Sequence, residues 1–570
     1  MLSYRLVHNG QPHLARLAQA KPERFLHSID WEIGHFSNNL AMYLSSLPPE
    51  LTLLISSHLN SPKDLSSFLR TSQKFYYLLT NELYQNNVRS DGGSALLWYA
   101  SRGDEVGVRN MLRAGANVNL RSPDRAQSTA LLEAVSTKRT SVVQILLENE
   151  ALPDMADARS RRPLVLAKKG RSDVAITKLL LEHSAVANSL VLDKHAPLLE
   201  AVRSNQESKV VLLLKHGAYT HILDSRTGMT LVHIAASKNA TPGIINILIG
   251  SGIQVESQDN MGRTPLQVAA DHSCTRAVRL LLNLGANPNF KNNNQYWKGW
   301  SALFYAATNP SIPGNGRKSI IRTLFLHGAE IEARNHAQKT PLLHAISQSA
   351  IKQAQALVEC GASIMARDAN GETALHLAAS SSSWCSSLLG WLVKTGADVN
   401  WVGGKHSETP IFNAIRRFYA RQGMECIQTL LSLGADVQFR NMDGLTPLSL
   451  AVRTGSIEST KILLEHGSCV NSRDKNGKSP LHYAAEAWNI HKIVKLLIQY
   501  GADVNSRDML GFTPLHRIVA KEEAWEAAGE FLKAGADRYA IAHNGKFPHE
   551  MVPDGPWAET KRPLIRFYMS

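Results

Sequence analysis

Histidine and cysteine are the residues in this chain best equipped for chemistry, so their spacing comes first. The chain has 22 histidines and five cysteines. His233, His376, His482 and His516 each follow a Thr or Ser by three residues, in TLVH, TALH, SPLH and TPLH. A hydroxyl beside an imidazole could be a nucleophile and its base, and four scattered imidazoles could be metal ligands. Neither reading finds support around them. There is no GxSxG elbow, no phosphate-binding GxxxxGK[ST] loop, no HExxH pair and no supported carboxylate dyad. A second group, His216, His327 and His466, directly precedes Gly217, Gly328 and Gly467. That is where a helix C-terminus favours a proton donor or a positive charge. Cys274, Cys360, Cys385, Cys426 and Cys469 form no CxxC pair, and their odd count and wide spacing argue against a disulfide framework or a zinc site. The expectation is a chain in a reducing compartment with no metal, no cofactor and no catalysis of its own.

The histidines recur because the phrase around them recurs. Its Thr or Ser falls at Ser94, Thr129, Thr230, Thr264, Ser301, Thr340, Thr373, Thr409, Thr446, Ser479 and Thr513; Arg162 and Ala196 hold the same place without the hydroxyl, and Phe547 opens a worn last copy. Successive copies start 33 to 39 residues apart, most at 33 or 34. A period this steady marks a stacked solenoid. In SRDKNGKSPLHYAAEAWNIHKIVKLLIQYGADVN, Gly477 can take positive φ in a turn, Ser479 caps a first helix, and Pro480 sits at its first position. Ile493, Val494, Leu496 and Leu497 are spaced for one face of a second helix, which Gly501 ends. One such unit cannot bury its apolar face alone, so copies must stack.

The TPLHxA phrase and this plan resemble the ankyrin repeat. The resemblance implies an all-α ankyrin-repeat solenoid of helix pairs with β-hairpin fingers over residues 91–570, with about thirteen repeats and a degenerate C-terminal capping repeat. It also implies a concave side lined by fingers and first helices. The histidine of TPLH is then expected to bond a neighbouring turn.

Ahead of the repeats, residues 44–85 are spelled differently. Pro48 and Pro49 open a helix with Leu51, Leu54, Ile55 and Leu59 at helical spacing. NSPKD breaks it, and two further helices follow, with Leu65, Phe68 and Leu69, then Phe75, Tyr76, Leu79 and Leu83. The order of Leu47, Pro48, Glu50, Ile55, Leu59, Asp64, Leu65, Phe75 and Leu79 resembles a small three-helix F-box, although Arg70–Lys74 departs from the family's usual phrase there. A structural reading competes, in which these helices only cap the first repeat. A three-helix piece of this size scarcely holds together without a partner, which favours the F-box. Residues 1–43 read as a poorly defined lead-in.

The formal net charge of +14 raises the question of nucleic acid. Basic residues are spread through the repeats, and the densest run, RSRRPLVLAKKGR at Arg159–Arg171, falls in a worn copy. Nucleic acid is therefore not expected as a partner. No run of eighteen apolar residues predicts a membrane span. The whole plan resembles the F-box/ankyrin proteins of filamentous fungi. It implies a substrate-recognition subunit of an SCF-type cullin–RING ubiquitin ligase, cytoplasmic or nuclear, a monomer within its complex. The adaptor-binding residues on that pattern are Leu47, Pro48, Glu50, Leu51, Ile55, Leu59 and Leu65, facing a Skp adaptor and cullin complex. An ankyrin scaffold or inhibitor without a ligase link, and a basic nuclear cofactor, are the alternatives. The target protein is expected on finger positions that carry no structural duty yet hold apolar residues: Met261, Tyr296, Trp297, Trp300, Trp401, Met442, Leu445, Met509, Leu510 and Phe512; the alternative is that a residue such as Trp300 or Phe512 folds back to cover its own hairpin.

Overall fold

The computed structural model describes residues 84–551, apart from 86, 90–91, 168–170, 189–195, 309–315, 381–384, 418–420, 486, 488 and 522–524. Those residues divide into two compact units, one reaching Arg226 and including Asn246–Gly252, the other comprising Thr227–Ile245 and the residues from Ile253 on. The lead-in and nearly all of the F-box-like segment lie outside the described residues, as do all seven adaptor-binding candidates.

The described chain is a succession of short helix pairs, from Ala95–Arg102 with Glu105–Arg113 to Pro514–Val519 with Trp525–Lys533, followed by a single 3₁₀ turn at Pro548–Met551. Local chemistry starts most of the first helices. In the second unit Thr264 accepts from the N–H of Gln267 at 3.4 Å, while Gln267 Oε1 accepts from the N–H of Thr264 at 3.1 Å. This reciprocal box satisfies two amides that the helix leaves unpaired, and Pro265 at the first position has none to lose. First helices are rich in alanine because they lie against one another. Pro265–Asp271 packs on Leu231–Ser237 and on Ala302–Ala307. Second helices contribute the larger apolar groups. Ile493, Val494 and Leu497 are fully buried, each burial stabilising by about 1.5–3 kcal/mol.

Between pairs the chain runs through a finger. Asp474 Oδ1 accepts from the N–H groups of Asn476 (2.9 Å) and Lys478 (2.7 Å), and the N–H of Asp474 donates to the carbonyl of Lys478 at 3.0 Å. The tip then stacks on its neighbour through one backbone bond: the N–H of Lys475 donates to Asp443 O, and that of Met509 to Asn476 O. Glycine is required at these tips on two counts. Gly444 and Gly477 have φ of 79° and 75°, and a Cβ would stand 2.8 Å from Lys475 N and 3.0 Å from Met509 N. The fingers are closed turns rather than strand pairs; among the described residues β-pairing is limited to isolated bridges, such as Gly403 with Glu408. The strand content expected of hairpins is thus replaced by side-chain-anchored turns.

An amide ladder also ties repeats together. Asn471 Nδ2 donates to the carbonyl of Gly501 (3.1 Å) while its Oδ1 accepts from Asp503 N (2.8 Å). Asn400 makes the same pair of bonds to Gly434 O and Asp436 N, and Asn505 to Gly535 O and Asp537 N. Gln438 substitutes in one rung, reaching Gly467 O and Cys469 N. In the first unit Asn188 bridges to Gly217 O and Tyr219 N. The last residue of GADVN therefore has a structural duty that the repeat pattern alone did not disclose.

Cysteine pairing needs a correction. Cys426 is disulfide-bonded, whereas Cys274, Cys360 and Cys469 are free. Spacing along the chain argues against a framework, and one bridge is not a framework. It also does not report which side chains stacking brings together.

Candidate functional site

The TPLH histidines connect repeats. The N–H of Ser479 donates to His482 Nδ1 at 3.0 Å, and His482 Nε2 lies 3.0 Å from the carbonyl of Phe512 in the next finger. A backbone N–H can only donate, so Nδ1 carries no proton and Nε2–H is the donor. Thr373, His376 and the carbonyl of Glu408 repeat the arrangement, as do Thr513, His516 and the carbonyl of Lys546. Thr230, His233 and the carbonyl of Arg263 complete the set. Burial holds all four imidazoles below their ordinary pKa, because the charged form would lose its water. A neutral imidazole engaged at both nitrogens has no lone pair left for a metal or a substrate. His327 and His466 instead bond back to Thr323 O and Ile462 O, the last carbonyls of their own helices.

The finger positions divide into two classes. Most residues between the anchoring Asp or Asn and the Gly point outward: Met261 and Met442 are about half exposed, Tyr296 is 73% exposed, Met509 66% and Leu510 59%. The turn holds their backbones and leaves their side chains nothing to cover. The position just before the Thr or Ser behaves differently. Trp300 is only 7% exposed and Leu445 only 4%, so the expectation that both are exposed is corrected. The closing arm of the turn lies over its own first helix, and an apolar side chain there folds inward. Trp300 meets Tyr305 edge-on at 5.1 Å and His344 at 4.6 Å. Trp297 rests edge-on against Trp300 at 4.7 Å and is half-buried. Phe512 is also half-buried, beside His516 at 5.5 Å and beneath the Arg517 guanidinium at 5.3 Å. Trp401 is half-buried under the Arg367 guanidinium, 4.7 Å from its ring. All ten candidates belong to the second unit.

Sequence reasoning missed several buried charges. Buried Glu408 is held bidentately by exposed Arg416, with Asn441 Nδ2 donating to Glu408 Oε1 at 3.0 Å. Arg317 is buried and donates to the carbonyls of Tyr305 and Asp271. In the first unit Asp173 is fully buried, 3.8 Å from Lys138, and neither oxygen accepts a hydrogen bond. Lys209, also buried, donates to the carbonyl of Ala167. Burial lowers its pKa to about 8. These groups sit where helix pairs pack, and no local spelling marks them. Among the described residues no cluster of His, Cys, Asp or Glu could hold a metal ion. No helix among them is long and apolar enough to cross a membrane.

Comparison with known proteins agrees with this architecture. The family model for ankyrin repeats matches residues 198–292, 232–335, 303–402 and 411–508, together just over half of the chain, and an F-box-like model matches residues 44–90. Over 237 residues the chain is 32% identical to the B-cell lymphoma 3 protein homolog of Mus musculus, covering 41% of this chain and 51% of that protein. It is 30% identical over 257 residues to the NF-kappa-B inhibitor cactus of Drosophila yakuba, covering 45% and 41%. To the transient receptor potential cation channel subfamily A member 1 of Homo sapiens it is 25% identical over 416 residues, covering 70% and 36%. The chain thus spans about half, or less, of the length of these relatives. Stacked repeats, fingers with exposed apolar tips and an F-box-like segment ahead of them suit a protein-interaction adaptor, and the chain belongs to the ankyrin-repeat family.

Proposed function

We propose that this protein is the substrate-recognition subunit of an SCF-type cullin–RING ubiquitin ligase. Its F-box-like segment would dock on a Skp-type adaptor, and the finger tips of the second unit would hold a protein target. The observation that carries the reading is the order of parts in one chain: F-box-like residues 44–90, then ankyrin repeats. The chemistry would belong to other subunits, and this chain would contribute proximity, raising the effective concentration of target lysines near the charged ubiquitin carrier. Such a complex would work in the cytoplasm or nucleus. The exposed tips Met261, Met442, Met509 and Leu510 suit capture, because a few apolar anchors carry most interface energy.

The test is co-purification. The wild-type chain is expected to recover a Skp-type adaptor, and Leu47→Ala combined with Pro48→Ala to lose it while the repeats keep their melting temperature. Adaptor recovery undiminished by the double substitution would refute the reading. A second reading is supported by the relative named as an NF-kappa-B inhibitor: an ankyrin inhibitor or scaffold with no ligase link. It expects no adaptor recovery from the wild-type chain.

A further inference from the structure

The residue just before each finger's Asp or Asn has a use that the repeat plan leaves open. In five fingers of the second unit it is Arg334, Arg367, Arg440, Arg473 and Arg507, all exposed, while Gln258 and Lys291 hold the place before Asp259 and Asn292. Four of them reach one finger along. Arg334 Nη1 donates to the carbonyl of Arg367 at 2.6 Å, Arg440 Nη1 to that of Arg473, Arg473 Nη1 to that of Arg507 at 3.4 Å, and Arg507 Nη1 to that of Ile541 at 2.7 Å. Arg367 lies over Trp401 instead. Each of these four exposed guanidiniums is thus held through Nη1, that of Arg334 also by the Gln338 carbonyl at 2.7 Å, with further N–H donors on its other nitrogens. None of the five forms an ion pair among the described residues.

The acids beside them are spoken for. Asp474 accepts from Tyr483 Oη and two backbone amides, and Asp508 from Arg517 and two backbone amides. Burial and these partners leave the guanidinium as the outward charge on the Arg473 and Arg507 fingers, joined on the former by exposed Lys475, whereas the Arg440 finger also exposes Asp443, 3.7 Å from His406. The ladder thus pairs cations with the apolar tips Met442, Met509 and Leu510 two or three residues away.

We propose that this ladder binds an extended acidic segment of the target, with a carboxylate at every third residue and apolar residues between. The inference rests on the reading of the fingers as the target-capturing side. Neighbouring helix pairs pack at roughly 10 Å, which sets the rung spacing. A polyproline-type chain rises about 3.1 Å per residue with three residues per turn, so carboxylates three apart recur on one face every ~9 Å. The exposed methionines and leucine favour a peptide over a nucleic acid, whose phosphates have no use for them.

The experiment is fluorescence anisotropy with the full chain. The probe is a labelled peptide with Glu at every third position and Pro and Leu between, long enough for the rungs Arg440, Arg473 and Arg507. A peptide of the same composition with its Glu residues grouped at one end is the register control, and single-stranded DNA is the competitor. Arg440→Gln, Arg473→Gln and Arg507→Gln are each expected to weaken binding about threefold, as exposed ion pairs do, and the triple variant about thirtyfold. Binding should also weaken as salt rises. Changing the peptide's Glu to Gln should give the same losses without touching the protein's fold. Equal affinity for the grouped peptide, indifference to Glu→Gln, or displacement by DNA at lower concentration than by unlabelled peptide would each overturn the proposal. The adaptor variant Leu47→Ala with Pro48→Ala should bind the peptide normally, so failure of the ligase reading and failure of the ladder are separable.

Discussion

Two repeats built to one plan, one in each unit, differ in how completely they satisfy it. In the second unit Pro480–Ala484 begins at a serine whose amide is held by His482, and that histidine's other nitrogen reaches the next finger. In the first unit Pro163–Leu166 begins at Arg162, with no side-chain cap, and the helix lasts four residues. Its second helix, Arg171–Glu182, carries buried Asp173, whose oxygens accept no hydrogen bond. The difference teaches that the tertiary plan survives loss of its caps, because apolar stacking holds the pair: Leu164, Ile176 and Leu180 are as buried as their counterparts. Caps add margin and a fixed register.

The broadest way to break the comparison is acid. A histidine whose folded pKa is depressed contributes stability that is present above its ordinary value of 6.5 and lost as pH falls toward the folded value. His233, His376, His482 and His516 all act in that direction. His344, which burial lowers to about 4, adds a loss of order 3 kcal/mol once fully protonated. Asp173 has the opposite sign. Burial raises its pKa, so protonation relieves a cost in its own repeat as pH falls. Hydrogen exchange at pH 5 against pH 7 should therefore show protection falling in the repeats around His482 and His516 much more than in residues 159–188. Equal loss in both would remove the distinction.

A single substitution sharpens it. His482→Ala should cost about 2 kcal/mol, since it strands the Ser479 amide and the Phe512 carbonyl together, and exchange should rise in both fingers. Confinement of the change to one finger would show that the bridge across repeats carries little. The smallest effect runs the other way. Arg162→Thr should return the missing cap and raise stability by about 1 kcal/mol in thermal or urea unfolding. No gain would mean that the short helix is limited by something other than its start.

Much of this was legible in the sequence, and the limits were physical. Caps, first-position prolines and closing glycines are local, so Ser479, Pro480 and Gly501 could be read directly. The reach of His482 to a neighbouring turn followed from the repeat. Trp300 and Leu445 were misjudged because one finger position sits on the returning arm, where burial depends on whether the occupant is apolar. Arg263 at the same position stays with Asp259, 2.9 Å away. Asp173, Lys209, Arg317 and the Glu408–Arg416 pair depend on packing between elements, which no local pattern encodes. The F-box-like candidates lie outside the described residues, so their reading rests on spelling and on the family match.

The amide ladder has a consequence for how such a molecule can change over generations. Asn471 recognises only the Gly and the following amide of the next copy, and Asn505 recognises the same two groups one copy later. Each rung is thus an interchangeable coupling. If recombination removed one whole period, the preceding asparagine would meet an equivalent glycine carbonyl and amide in the copy brought alongside. Length can then be edited in whole modules between copies that carry this rung, whereas Asp154, Glu256 and Glu332 hold the place with carboxylates that only accept from the next amide.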